Sequence, residues 1–284
     1  GRPPVVVSGP MRGGSVTIPG SVSSQFLSSL LLACPLAPGP TTLRVLPPIR
    51  SEPYVDITRH MLRSFGAAVD AEDNTFHIPG GQRYAPTDVA VPGDFSSAAF
   101  PLIAAAITQG DVTVKGLDFS SPQGDRRMAD LLGACGASVA QTRDRIRVRG
   151  GALEAQAVDV GATPDLFPIL AVLASQARGE SRFMNGAHLR FKESDRIETT
   201  VAFLKALGVD ASSTRDGCIV RGPALLRGAR LESHGDHRIL MAAAVAGLVA
   251  RDPVEIADPW CFRVSYPSFL DDFRALGADM EVIF

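Results

Sequence analysis

The hydrophobic and polar positions of this chain follow a repeating order of strands and helices. Short alternating or β-branched runs are followed by Ala- and Leu-rich helical patterns, and the order strand, helix, strand, helix, strand, strand recurs. In the second copy the pattern predicts helices over 97–108 and 126–133, and strands over 88–91, 111–114, 138–141 and 145–148. The fold class is therefore α/β (α+β), built from βαβαββ units.

Two kinds of residue mark the repeat. A glycine ends the second helix of every copy, in steps of 70, 72 and 69 residues: Gly66, Gly136, Gly208 and Gly277. Glycine just beyond a helix is the usual left-handed cap. An aspartate opens the first helix of the last three copies, in steps of 71 and 71 residues: Asp94, Asp165 and Asp236.

Four copies are present, and the polar stretch 82–87 separates the first from the other three. The sequence predicts a first lobe over 1–87, with one complete unit, and a second lobe over 88–284, with three. It also predicts a closing strand at 4–8 and a terminal strand at 279–284. The helical segments 103–107 and 241–249 are apolar nearly all round, so we expect them to be buried, with sheets around them and other helices outside.

Composition excludes several classes of protein. The net charge of −2 argues against a nucleic-acid partner or polybasic membrane attachment, and no apolar run reaches the roughly 18 residues of a membrane span. The four cysteines lack close spacing and predict buried free thiols in a reducing cytoplasm: Cys34, Cys135, Cys218 and Cys261. His234 and His237 have no further ligand nearby, so we expect no metal site.

The segment from His188 to Arg196 concentrates charge, with two carboxylates and four basic or imidazole side chains in nine residues. A helical pattern follows over 197–207, and Ser194 or Asp195 is suited to cap it. Backbone donors and the dipole at such a helix start favour an anion. Lys192 is one of only three lysines among 28 basic residues, which suggests a need for a compact ammonium. Taken alone, the segment fits a solvated charged loop before a surface helix better than a functional site, and the rest of the chain reverses that preference.

Other helix starts carry similar chemistry. Ser23-Ser24-Gln25 offers hydroxyl and amide groups that could hold a phosphate or a sugar, or could simply cap the helix. Asp165 follows a proline at a helix start, where it is either a cap or a general base. Arg238 places a cation against the helix dipole, which favours an anion beside it. Together they predict a metal-free site for a substrate with phosphate and carboxylate groups.

Five motifs in order along the chain resemble the family of 5-enolpyruvylshikimate-3-phosphate synthases: residues 21–27, 51–58, 164–165, 192–196 and 235–238. The resemblance implies the inside-out α/β barrel of enolpyruvyl transferases, in which two lobes of three βαβαββ units close on the ligands. Four of the six units are recognisable, so the chain resembles the C-terminal two thirds of such an enzyme and is expected to have little turnover alone.

The resemblance implies a reaction and its residues. The carboxyvinyl group of phosphoenolpyruvate is transferred to the 5-hydroxyl of shikimate-3-phosphate, and phosphate is released, in the shikimate pathway of aromatic amino acid biosynthesis. No cofactor is implied, and the complete enzyme is expected to be a cytoplasmic monomer. Asp165, Glu193 and Lys192 would be catalytic. Shikimate-3-phosphate would be bound by Ser23, Ser24, Gln25, Ser51, Asp165, His188 and Lys192. Phosphoenolpyruvate would be bound by Gln25, Arg196, His237 and Arg238.

The chain also departs from the family pattern. Some members carry a lysine shortly before the last helix, whereas this chain has Arg263 in that segment. Two alternatives stay open. The chain could be a non-catalytic fragment or ligand-binding lobe of the enzyme. Less favoured is a transferase that acts on UDP-N-acetylglucosamine and shares the fold, since that substrate would not call for Ser23-Ser24-Gln25 or for the segment 192–196.

Overall fold

The computed structural model describes residues 4–283. The chain divides into two compact units, Gly1–Val91 and Pro92–Phe284. The sequence places the division at 87/88, and the structure places it a few residues later, within the segment 82–94 that contains neither helix nor strand. The assignment of these units to two lobes of a longer enzyme stays a prediction.

The N-terminal unit has the complete βαβαββ order. Its elements are β1 (Gly14–Pro19), α1 (Ser24–Ala33), β2 (Thr41–Leu46), α2 (Glu52–Ser64), β3 (Asp70–Glu72) and β4 (Thr75–Ile78). The sheet order is β1-β2-β4-β3, in which only β1 and β2 are parallel. Strand β2 buries every second residue, because α1 and α2 contribute to the core on one face of the sheet.

The C-terminal unit contains the other three copies. The second copy is α3 (Phe95–Ile107), β5 (Asp111–Lys115), α4 (Met128–Ala134), β6 (Ser138–Gln141) and β7 (Arg145–Arg149). The third is β8 (Ala157–Asp159), α5 (Phe167–Gln176), β9 (Gly179–Met184), α6 (Arg196–Ala206), β10 (Asp210–Ser213) and β11 (Cys218–Gly222). The fourth is β12 (Ala229–Leu231), α7 (His237–Gly247), β13 (Val254–Ile256) and α8 (Phe269–Ala275).

The sheets of all four copies share one connectivity. In the third copy the order β8-β9-β11-β10 reproduces that of the N-terminal unit, with a parallel first pair and two antiparallel pairs. The order β5-β7-β6 is the same sheet without its first strand, and the parallel pair β12-β13 is its first half. The predicted repeat is therefore confirmed in topology, although it is complete in only two copies.

Three predicted strands are wrong. Residues 4–8, 88–91 and 279–283 form no strand, and Phe284 lies outside the described residues. A strand needs a hydrogen-bonded neighbour, and no strand within residues 4–283 pairs with these segments. Pro92 follows 88–91 directly, and a proline cannot donate to a sheet.

The four repeat glycines end their helices as predicted. Their φ angles are 76°, 96°, 94° and 95°, and the next residue donates its N–H to the carbonyl five positions back, at 2.9 to 3.0 Å. This is the Schellman cap, which satisfies carbonyls that the helix leaves free. The spacing of the glycines in the sequence thus correctly predicts where the second helix of each copy ends.

The burial predicted for the first helices of the C-terminal unit is confirmed. Helices α3, α5 and α7 contact one another, and 12 of 13, 9 of 10 and 9 of 11 of their residues are buried. The polar residues of α3 and α7 lie at their starts, and Asp165 lies just before α5, so the segments at the three N-termini supply most of the chemistry in this core. Within residues 4–283 no helix is both long enough and apolar enough to cross a membrane.

The thiols are largely as expected. Cys34, Cys135 and Cys218 are free and buried, whereas Cys261 is only partly buried, contrary to the prediction. Burial raises the pKa of Cys135 to about 11 and that of Cys218 to about 12. Thiols this hard to ionise are poor nucleophiles, so neither is a candidate for catalysis.

Candidate active site

The site of the C-terminal unit is assembled from helix starts. Asp94, Asp195 and Asp236 are the N-caps of α3, α6 and α7, and each accepts hydrogen bonds from backbone N–H groups of the first turn at 2.9 to 3.1 Å. The sequence predicts Ser194 or Asp195 as the cap of α6, and the structure selects Asp195. Asp165 lies in the 3₁₀ segment Pro164–Leu166, which leads into α5.

Arg196, the first residue of α6, is the centre of the cluster. Its side chain is 1% exposed and meets three carboxylates. The Nε atom donates to Oδ2 of Asp236 at 2.9 Å, Nη1 to Oδ1 of Asp165 at 2.8 Å and Nη2 to Oε2 of Glu193 at 2.7 Å. Burial opposes a buried charge, but these carboxylates outweigh it and raise the pKa of Arg196 further, so the guanidinium is charged at any accessible pH.

Asp165 joins Arg196 to the second buried arginine. Its other carboxylate oxygen, Oδ2, lies 3.0 Å from Nη2 of Arg238. Arg238 also donates from Nη2 to the hydroxyl of Ser96 at 3.0 Å. The sequence predicts an anion beside this cation at the start of α7, and the anion in the structure is the carboxylate of Asp165. One carboxylate therefore bridges two guanidinium groups.

Asp236 is wholly buried and combines two roles. It caps α7 through the N–H of Arg238, and it accepts hydrogen bonds from Arg196 and, at 3.0 Å, from the hydroxyl of Ser194. Burial alone would raise the pKa of Asp236, but Arg196 and these donors lower it overall, so the carboxylate stays ionised. At the next position, burial and the charge of Arg238 lower the pKa of His237, which favours a neutral imidazole.

The charged segment 188–196 is therefore only partly a solvated loop. Arg190 holds it in place, with Nη1 donating to Asp195 at 2.8 Å and to Glu198 at 3.0 Å. Glu193 stays 48% exposed despite its contact with Arg196. Lys192 is half-buried and forms no ion pair with any residue in 4–283. His188 is buried in the 3₁₀ segment Ala187–Phe191.

The remaining predicted residues lie in the N-terminal unit. Ser23 caps α1 and accepts from the N–H of Gln25 at 3.2 Å, while Ser24 is buried and Gln25 is exposed. Ser51 is buried, precedes α2 and has a φ of 53°, in the left-handed region. These four residues thus occupy two helix starts of that unit.

Arg263 and His237 also lie outside the cluster of ion pairs, and only His237 is predicted as a site residue. The guanidinium of Arg263 lies over the ring of Trp260, 4.2 Å from its centroid, in a cation–π contact. His237 is adjacent to the cluster in sequence, but its side chain is not among the partners of the two arginines described above.

The profile of the family described as EPSP synthase (3-phosphoshikimate 1-carboxyvinyltransferase) matches residues 1–273. The chain belongs to the EPSP synthase family. Two curated relatives named 3-phosphoshikimate 1-carboxyvinyltransferase, from Methanocorpusculum labreanum and Methanosarcina mazei, are 49% and 43% identical. In both comparisons the match covers 99% of this chain and 66% of the relative.

Solved structures give the same result for the fold. Two structures of EPSP synthase from Acinetobacter baumannii superpose with TM-scores of 0.79 and 0.80 at 31% and 30% identity. They cover 93% and 96% of this chain, and the chain covers 62% and 64% of theirs. The fold is therefore that of the EPSP synthases. The chain spans slightly less than two thirds of each of these relatives and structures.

Within the EPSP synthase fold, sequence reasoning missed three supporting residues. Ser96 was not singled out, Ser194 was considered only as a possible cap of α6, and Asp236 only as a helix-opening aspartate within a motif. The signal for Ser96 and Asp236 was the spacing of 71 residues between the aspartates that open the helices, which marks equivalent positions. The spacing does not predict which side chains contact each other, since Ser96 and its hydrogen-bond partner Arg238 are 142 residues apart in the chain.

Proposed function

We propose that this chain carries the acid–base and phosphoenolpyruvate-binding residues of carboxyvinyl transfer to shikimate-3-phosphate. The observation that carries the proposal is the bridging carboxylate of Asp165, which lies 2.8 Å from one buried arginine and 3.0 Å from another. Two permanently charged guanidinium groups suit the carboxylate and phosphate of phosphoenolpyruvate. A carboxylate between them can accept a proton from a hydroxyl group bound beside that anion.

In the proposed reaction, Asp165 takes the proton of the 5-hydroxyl of shikimate-3-phosphate. The oxygen then attacks the substituted vinyl carbon of phosphoenolpyruvate, while Glu193 delivers a proton to the methylene carbon. Loss of phosphate from the tetrahedral intermediate, with return of that proton, restores the vinyl group. The partial exposure of Glu193 supports this role, because it can exchange protons with solvent. Arg196 and Arg238 would hold the anionic groups throughout.

For shikimate-3-phosphate we propose Ser23, Ser24, Gln25 and Ser51 of the N-terminal unit, together with Asp165, His188 and Lys192. The hydroxyls at the starts of α1 and α2 support this, since such positions combine backbone donors with side-chain donors. The ammonium of Lys192, which forms no ion pair with the residues that the structure describes, supports its role near the substrate hydroxyl. For phosphoenolpyruvate we propose Gln25 and His237 beside the arginines. A cytoplasmic location and a monomeric complete enzyme stay predictions.

The test is a calorimetric titration of the chain with shikimate-3-phosphate, with and without phosphoenolpyruvate, beside a phosphate-release assay. We expect shikimate-3-phosphate to bind and phosphoenolpyruvate to tighten that binding. Asp165→Asn should abolish the low rate of phosphate release expected of this chain, while the variant stays folded. Asp195→Asn is the matched control, because Asp195 is a helix-capping aspartate that forms no ion pair with Arg196 or Arg238. This variant should retain the phosphate release. Failure to bind either compound would refute the assignment of the site.

A second candidate is a ligand-binding part of the enzyme without turnover of its own. It is favoured by one observation, that the chain spans only 66% of each of the first curated relatives. Binding of shikimate-3-phosphate together with no phosphate release above background would select this candidate. Release at a normal rate would exclude it.

A further inference from the structure

The partners of the two buried arginines differ sharply in how deeply they lie. Asp236, which holds Nε of Arg196, is 0% exposed, whereas Asp165 is 18% and Glu193 48% exposed. All three contacts are short, between 2.7 and 2.9 Å. The three contacts therefore differ in solvent exposure and not in length, so the exposed carboxylates can exchange Arg196 for water more easily than Asp236 can.

Arg196 has one partner that cannot leave. Asp236 is fixed at the start of α7 by the N–H of Arg238 at 2.9 Å, and by the hydroxyl of Ser194 at 3.0 Å. Moving it would uncap a helix and remove the most deeply buried of the carboxylates that balance the charge of Arg196, two costs that reinforce each other. Among the described residues nothing comparable holds Glu193, whose side chain is 48% exposed.

Arg238 has an equivalent fixed partner of different chemistry. The hydroxyl of Ser96 accepts from Nη2 of Arg238 at 3.0 Å and donates to Oδ2 of Asp94 at 2.7 Å. Ser96 is 2% exposed and lies in the first turn of α3, so its position is set by the helix. The neighbouring Ser97 donates to the same oxygen of Asp94 at 2.7 Å, but its hydroxyl does not contact Arg238.

We infer that each arginine has one buried positioning residue and at least one partly exposed carboxylate partner that stands in for a substrate anion. Asp236 positions Arg196, and Ser96, supported by Asp94, positions Arg238. Glu193 and Asp165 occupy the sides of the guanidinium groups that an anion would use. This inference deepens the proposed function, because it concerns how the same arginines accept their ligand.

The arrangement has a consequence for the order of events. An anion that replaces Glu193 on Arg196, or Asp165 on Arg238, must compete with a carboxylate already in place. Each displaced carboxylate loses a hydrogen-bond partner, and the Asp165 oxygen released from Arg238 lies where the proposed reaction needs a proton acceptor. Binding of the anion therefore exposes the base, and in the empty site both carboxylates are held by the arginines.

The test uses inorganic phosphate as the probe, titrated into the full chain at low ionic strength and followed by calorimetry or by the ³¹P resonance. Glu193→Gln removes the charge of an exchangeable partner and should tighten phosphate binding by about three- to tenfold. Ser96→Ala removes a positioning hydroxyl and should weaken binding by about three- to tenfold. Ser97→Ala removes the matched hydrogen bond to Asp94 and should leave the affinity unchanged.

The opposite signs separate this inference from a purely structural role. A uniform loss in all three variants, equal effects of Ser96→Ala and Ser97→Ala, or weaker binding to Glu193→Gln would each overturn it. So would a wild-type chain that binds no phosphate. Because the probe is not the substrate, the proposed function fails separately: the expected pattern with phosphate but no binding of shikimate-3-phosphate would overturn only that proposal.

Discussion

Replacing Asp236 by asparagine should destabilise the C-terminal unit far more than the same change at another helix cap. Asparagine caps helices about as well as aspartate, so the cap itself is retained. What is lost is the charge opposite Arg196, at a site with no exposure to water. Removing one partner of a buried ion pair costs about 3–5 kcal/mol. Because two carboxylates remain on Arg196 and still balance its charge, we expect a loss at the lower end of that range, about 3 kcal/mol.

The matched control is Asp195→Asn. Asp195 caps α6 in the same way and also pairs with an arginine, Arg190, at 2.8 Å. Its side chain is 34% exposed, so the pair is screened by water and the change should cost less than about 1 kcal/mol. The two variants thus share the cap and the ion pair and differ in burial.

Urea unfolding followed by fluorescence is the appropriate assay, since the chain has a single tryptophan, Trp260, which lies in the C-terminal unit. For a slope of about 2 kcal/mol per molar urea, Asp236→Asn should lower the midpoint by roughly 1.5 M and Asp195→Asn by less than about 0.5 M. Because the folded state lowers the pKa of Asp236, its contribution is present above the ordinary carboxyl pKa and is lost in acid. Equal shifts in the two variants at neutral pH would refute the reasoning.

Two further predictions concern acid and the repeat glycines. Burial and the adjacent guanidinium of Arg238 lower the pKa of His237, so on acidification the unfolded chain binds a proton at this imidazole before the folded chain does. Stability should therefore fall as the pH drops below about 6.5. His237→Gln should flatten this pH dependence of the urea midpoint, and an unchanged dependence would contradict the assignment. Gly136→Ala should cost more than Gly208→Ala in the same assay. Both positions have a φ near 95°, a strain of about 1–2 kcal/mol, but only at Gly136 would the added methyl group clash with the carbonyl of Ala152. Equal losses would show that the clash is relieved.

Much of the fold could be predicted because its signals are local. A left-handed glycine and an apolar helix are properties of a few consecutive residues, and both recur at a fixed spacing. The strands expected at 4–8 and 88–91 failed for the opposite reason: β-structure depends on a partner that the segment itself does not encode.

The candidate site shows the same limit. Motifs indicated that Asp165, Arg196 and Arg238 belong together, and the structure brings these three side chains into contact. The sequence could not show that Asp165 itself is the anion beside Arg238, or that Ser96 supports that arginine. Those contacts join residues 73 and 142 positions apart, and only the packing of α3, α5 and α7 decides them.

The three aspartates that open the central helices have diverged in what they do. Asp94 accepts hydrogen bonds from serines of its own helix, and Asp165 pairs with arginines of two other helices. Asp236 contacts one arginine and one serine, Arg196 and Ser194, in and just before α6. Internal symmetry of the backbone has thus produced three copies of one acidic position with separate duties. Replacement by the amide would therefore have a different effect at each position. At Asp94 it would disturb the hydrogen bonds that hold two serines, at Asp165 it would remove the proposed proton acceptor, and at Asp236 it would remove a buried counter-ion.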